Sequence, residues 1–162
     1  MMTSPSDDLA RFQNDGDISG LLQYAASIGI DVPEIQEVLA ELDPIFTSLD
    51  YGLNPSFATL DRSALQSHAP GTEYVARAMV GSDRADLKSA GLQLVGLLDD
   101  PRLMDILLEA LHSEIPWLRL TAIEAVGRMS AEYSRPVLQP MMGHEDVVTR
   151  RAVAEAMTGR SG

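Results

Sequence analysis

Acid–base, metal or nucleophilic chemistry in this sequence would have to come from three histidines, scattered loop serines and one adjacent carboxylate pair. His68, His112 and His144 have no HxxxH, HExxH or HxH neighbour, the spacings that bring two imidazoles onto one metal. His144-Glu145 is a single His-Glu dipeptide. Cysteine is absent, which removes thiolate nucleophiles, disulfides and sulfur-ligated metals. Ser4, Ser6, Ser63, Ser67, Ser82, Ser113 and Ser130 fall in loop-like segments, and no GxSxG elbow surrounds any of them. Asp99-Asp100 precedes Pro101, a setting in which a carboxylate caps the next helix. Gly91 and Gly96 lie inside a helical pattern, where small residues permit close packing, and no glycine-rich phosphate loop is present. The residues therefore imply no catalytic group, no metal and no cofactor.

The elements that carry these residues repeat. Shifted by 31 residues, the C-terminal half lies on itself without a gap. Leu87, Gly91, Leu94, Val95 and Leu98 map onto Leu118, Ala122, Ala125, Val126 and Met129. They map again, more weakly, onto Thr149, Val153, Ala156, Met157 and Arg160. Each set has the i, i+4, i+7, i+8, i+11 spacing of one helical stripe. A second helix follows the same shift: Val75, Ala76, Met79 and Val80 map onto Ile106, Leu107, Ala110 and Leu111, then onto Val137, Leu138, Met141 and Met142. The unit is a hairpin of helix A and helix B, which buries its stripe only by stacking on a neighbour. Pro140 lacks the donor that a helix interior requires, so the last helix B should be short or kinked. Asp83, Glu114 and Glu145 precede the helices A, with Lys88, Arg119 and Arg150 five residues later. This spacing predicts a charge ladder that fixes register between units.

The run L-R-x-x-A-x-x-A-V at Leu118–Val126, preceded by an acid and followed by a second helix, resembles the HEAT repeat. The 31-residue period is similar in particular to the phycobilisome-lyase-type HEAT-like repeats of bacteria and archaea. The resemblance covers residues 72–160. It implies an all-α fold, a right-handed α-solenoid of stacked antiparallel helix pairs. Gly91 and Val153 depart from the usual Ala, Thr149 replaces an aliphatic residue, and Pro136 and Pro140 both fall in one helix B. The single His-Glu dipeptide, placed before its helix, does not match the several dipeptides with which HEAT-like deoxyhypusine hydroxylases hold iron. In such solenoids the helices B line the concave side, which implies Arg102, Asp105, Glu109, Arg135 and Gln139 as partner contacts. Trp117, the sole tryptophan, stands off the core stripe beside Arg119, where the two would suit an interface hot spot.

Upstream the pattern is less regular. Residues 17–71 read as an irregular helical part, with one helix near 17–28 capped by Asp17 or Ser19. A second spans 33–42, with Ile35, Val38, Leu39 and Leu42 inward and Glu34, Glu37 and Glu41 outward. Asp43-Pro44 breaks it, a weak helix is expected near 57–65, and Pro70-Gly71 punctuates the end of this part. Residues 1–16 read as a flexible N-terminus, the first six and Gly159–Gly162 as mobile ends, and 17–160 as one continuous domain.

The formal net charge is −12. Residues 1–81 hold 12 acids against 3 bases, a net of −9, and the remainder 12 against 9, a net of −3. Too few bases stand clear of acids to neutralise phosphates, so neither nucleic acid nor an anionic membrane is expected as a ligand. No apolar run approaches the ~18 residues that span a bilayer, and the acidic start is unlike a signal peptide. The expected location is cytoplasmic. The preferred reading is a non-catalytic protein-binding module: an adaptor, assembly factor or regulatory subunit, with a partner of basic character. Two alternatives stand beside it: a subunit of a bilin lyase or isomerase, which the repeat subtype implies, and an acidic immunity-type inhibitor of a basic toxin. The last helix A, near Thr149–Met157, has no helix B after it. Val147, Val148, Val153 and Met157 would leave apolar surface there, suited either to a cap or to homo- or hetero-dimerisation.

Overall fold

The structure, a computed structural model, describes residues 5–158. Among these the regular structure is entirely helical. The chain divides into two compact units, Met1–Gly91 and Leu92–Gly162. The boundary between them falls inside the helix that spans Ala85–Leu98.

The first unit contains α1 (Pro5–Asp15), α2 (Ile18–Ser27), α3 (Val32–Glu41), α4 (Asp43–Asp50), α5 (Arg62–Ser67) and α6 (Ala69–Val80). Most of the segment expected to be flexible is thus the helix α1. Phe12 is fully buried and meets Phe46 edge-on, with ring centroids 6.1 Å apart. The Gln13 amide donates to the Ala78 carbonyl at 3.1 Å, and the Ser82 hydroxyl donates to the Gln13 carbonyl. One aromatic and two polar clamps hold a helix whose own pattern is weakly apolar. Gly16, at φ +75°, ends α1 in the left-handed region that favours glycine.

Side-chain carboxylates start the next helices. Asp17 accepts from the Ser19 amide at 3.0 Å, Asp31 from Glu34 and Asp61 from Ala64, each satisfying an orphan N–H of the first turn. Asp61 places α5 at Arg62–Ser67, later than the 57–65 expected. Pro70-Gly71 does not break the chain either. Pro70 occupies the first turn of α6, where its missing donor is harmless, and Gly71 is buried against Glu34 and Val38 of α3. The Tyr74 hydroxyl donates to the Leu21 carbonyl at 2.6 Å; burial, with Tyr24 nearby, pushes its pKa up to about 12.

Three helices A set the repeat. α7 (Ala85–Leu98), α9 (Pro116–Gly127) and α11 (Val147–Thr158) begin 31 residues apart. The helices B of the second unit are α8 (Met104–Leu111) and α10 (Ala131–Leu138). Asp100 caps the turn into α8, accepting from the Arg102 amide at 3.0 Å, with Pro101 in the first turn. α10 stops at Leu138 and passes into a 3-10 segment, Gln139–Gly143, as Pro140 requires. The stripes Leu87–Leu98 and Ala122–Met129 are buried. α9 packs between α8 and α11, and Gly96 and Gly127, one period apart, make the helix A stacking close. Gly96 lies against the Ala125 backbone and Gly127 against Ala156.

Asp99 has another role than Asp100. It takes φ +54° at the end of α7, the left-handed conformation that Asp tolerates better than most residues. Its carboxylate accepts from the Ser130 amide at 2.8 Å and from the Ser130 hydroxyl. The start of α10 is therefore capped by the equivalent residue of the preceding repeat.

Candidate functional site

The inter-repeat turns carry most of the polar chemistry of the second unit. At one position of each period a side chain accepts from the backbone amide two residues on. Ser82 does so for Arg84 at 3.0 Å, Ser113 for Ile115 at 3.1 Å, and His144 Nδ1 for Asp146 at 3.0 Å. His144 thus stands in for a serine in the turn, a role visible in the sequence only once 82, 113 and 144 are aligned. His112 Nδ1 faces the Leu108 carbonyl at 2.8 Å and must donate to it. Nδ1 is therefore a donor in His112 and an acceptor in His144.

Arg119 is the centre of this region, 8% exposed. Its Nε donates to Thr149 Oγ1 at 2.8 Å, Nη1 to the Ser113 carbonyl at 2.9 Å and Nη2 to Asp146 Oδ2 at 3.1 Å. Thr149 in turn donates its hydroxyl to Asp146 at 2.7 Å and its amide at 3.2 Å. The hydrogen bonds from Thr149, followed by that of Arg119, hold the Asp146 carboxyl below the usual carboxylate range. Thr149, the departure from the repeat's aliphatic pattern, is what joins the two units of the repeat at this point.

This geometry corrects the expected ladder. The acid on Arg119 is Asp146, not Glu114 or Glu145. Asp146 lies at the start of α11 and is turned onto its first turn by Thr149, whereas Glu145, one residue earlier, is exposed. Arg150 repeats only the carbonyl half, donating to His144 at 2.7 Å and Glu145 at 3.2 Å. Among the described residues Lys88 and Asp83 form no ion pair; the pair at that level is Arg84 with Asp86 at 2.7 Å. Arg119 does not share an exposed surface with Trp117. Trp117 is 40% exposed while Arg119 is buried with each guanidinium nitrogen engaged, because residues two apart point to different sides of a helix.

The expected partner contacts lie on the helices B or in the 3-10 turns beside them. On α8, Ile106, Leu107, Ala110 and Leu111 are buried, leaving Asp105, Leu108 and Glu109 on an exposed face that runs on to His112. Arg102 is exposed, and its guanidinium is held by Asp100 at 2.7 Å. Arg135 and Gln139 are exposed on α10 and just after it. On α3 only Glu37 of the three glutamates is fully exposed. Glu41 accepts from the Asp61 amide at 2.8 Å, and Glu34 lies 3.7 Å from His68. On α11, Val153 is buried and Met157 half-buried, contrary to expectation; Arg151, Ala154, Glu155 and Thr158 are exposed, and the open valines are Val147 and Val148. Arg160 and Gly159–Gly162, like residues 1–4, lie outside the described residues.

Between the Leu111–Ile115 turn and the Met141–Asp146 turn lies a cleft of about 620 Å³. Leu111, Pro140 and Met141 give it apolar walls, and His112, Glu114, His144 and Glu145 its polar ones. The described residues hold no group of three His, Asp or Glu placed to bind a metal ion, and no helix among them is long and apolar enough to cross a membrane.

Helical hairpins stacked at a fixed period, with close helix A contacts and side chains shared between successive turns, define an α-solenoid repeat protein. The family profile for HEAT repeats matches residues 73–158, more than half of the chain, and the chain belongs to that family. No curated protein matches the sequence. HEAT repeats generally mediate protein–protein interaction, and the family is generally non-catalytic.

Proposed function

We propose that the chain is a non-catalytic protein-binding module, an adaptor, assembly factor or regulatory subunit, that takes a partner of basic character on the exposed face of α8. The observation that carries this reading is the composition of that face. Asp105 and Glu109 flank the partly exposed Leu108 at the i, i+3, i+4 spacing of one helical surface. The adjacent cation, Arg102, is already engaged by Asp100. An apolar contact ringed by acids suits a partner helix or segment with the complementary pattern, and the excess of acids over bases in the whole chain steers such a partner toward it.

Part of the acidity has a structural use, since Asp17, Asp31, Asp61 and Asp100 cap helices or turns. Asp105 stands in the first turn of α8, whereas Glu109 lies beyond it. The test is affinity capture from host lysate with the wild-type chain and the Asp105→Lys/Glu109→Lys variant, washed at low and then high salt. A stoichiometric basic protein held by the wild type, lost from the variant and released by salt is the expected result. Equal capture by both removes α8 as the contact.

A further inference from the structure

We infer that the cleft between the Leu111–Ile115 and Met141–Asp146 turns is a subsite for a lysine or arginine side chain in an extended segment of the partner, with apolar residues beside it. The inference rests on the basic-partner reading above and deepens it. The cleft begins where the exposed α8 face ends, at Leu111 and His112, so a segment lying along that face continues into it. Its volume is in the range of clefts that enclose a side chain with its flanking backbone.

Two features of the cleft select the chemistry. Glu114 and Glu145, one period apart, stand on its two turns; both are exposed, and neither has an ion-pair partner among the described residues. The cation most able to repel a basic side chain, Arg119, is buried and neutralised by Asp146. Arg150 is drawn onto the carbonyls of His144 and Glu145. Those carbonyls and that of Ser113 are thereby occupied, which leaves the two carboxylates to meet an incoming charge. Beneath them the apolar surface of Leu111, Pro140 and Met141 is suited to the methylene stem of a long cationic side chain.

The flanking preference follows from what surrounds the cleft. Ile115, Met142 and Val147 belong to the same two turns or directly follow them, and are 49%, 50% and 63% exposed. Apolar side chains open to this degree on adjoining turns mark a contact surface. A lone cation would leave them uncovered; a segment with leucine-like residues on either side of its charge would not.

The probe is an acetylated, amidated pentapeptide of alternating leucine and arginine, titrated into the full chain. Trp117 fluorescence and backbone amide shifts are the readouts. A leucine–glutamine pentapeptide and spermidine serve as comparisons. Saturable shifts confined to residues 111–119 and 140–148 are expected, weakened about five- to tenfold in Glu114→Gln/Glu145→Gln and unchanged in Glu37→Gln/Asp43→Asn, which removes the same charge elsewhere. Binding by Glu114→Gln/Glu145→Gln at wild-type strength would overturn the subsite. So would equal weakening in both double variants, which would show only a diffuse negative field. Equal binding of the glutamine peptide, or of spermidine, would overturn the charge or the segment respectively. Lysate capture separates the two ideas: a basic protein still held by Glu114→Gln/Glu145→Gln, with no peptide response in the wild type, sinks the cleft and leaves the α8 reading standing.

Discussion

Gly96→Ala tests whether close helix A stacking, and not merely apolar burial, holds the second unit together. A Cβ on Gly96 would lie 2.5 Å from the Ala125 carbonyl oxygen and 2.9 Å from the Ala125 Cα and carbonyl carbon. A carbon and a carbonyl oxygen in contact need about 3.3 Å, so the two backbones must part by roughly 0.8 Å. No side chain can rotate away to spare them. Overpacking against backbone belongs near the top of the usual range, about 3 kcal/mol, and alanine's better helix propensity returns about 1 kcal/mol. The net loss is about 2 kcal/mol, a fall in melting temperature of roughly 4–8 °C for a chain of this size. Gly127→Ala, one period later, is the control. Its Cβ would lie 3.0 Å from the Ala156 methyl, with the backbone at 3.5 Å, so strain and propensity nearly cancel. Thermal melts followed by Trp117 fluorescence report the second unit directly, since the only tryptophan lies in it. A Gly96→Ala protein that melts with or above the wild type would refute the stacking argument, as would Gly127→Ala proving the more damaging change.

Two further outcomes follow from the Arg119 network. Arg119→Lys is expected to cost about 2 kcal/mol in urea unfolding, because one ammonium cannot span Thr149, the Ser113 carbonyl and Asp146 together. That figure is held down because Asp146 is partly open to solvent. Asp146→Asn should make stability less dependent on acid. The Asp146 carboxyl titrates lower in the folded chain than its ordinary 3.8, so it stabilises fully above that value and loses its contribution as pH falls through the depressed one. The stability gap between wild type and Asp146→Asn should therefore be constant from pH 5 to 7 and close below about pH 4; a gap that persists undiminished in strong acid would contradict the assignment.

Much of the repeat was legible because its signals are local. The 31-residue shift placed the stripes of α7 and α9, Asp100 and Pro101 marked the entry to α8, and Pro140 marked the end of regular helix after α10. The signals failed where burial depends on a remote partner. α1 offers little more than Phe12 and Leu9 to a periodicity count, and it is ordered by Phe46, Ala78 and Ser82, which no spacing within residues 5–15 announces. The ladder failed by one residue. Along a helix start, one step turns a side chain by about 100°, so Asp146 meets Arg119 while Glu145 faces solvent.

The sequence by itself determined the helical class, the period, the starts of the repeat helices and the surplus of acid, because each is written in residue types and in spacings along one chain. Only the tertiary structure decided which acid meets which base, that Thr149 and Arg119 form a buried joint, that Asp99 caps the next repeat, and that two turns leave a cleft between them. Those outcomes depend on how one hairpin lies against the next, to within an ångström and one helical step, and a periodic sequence repeats its residues without stating that offset.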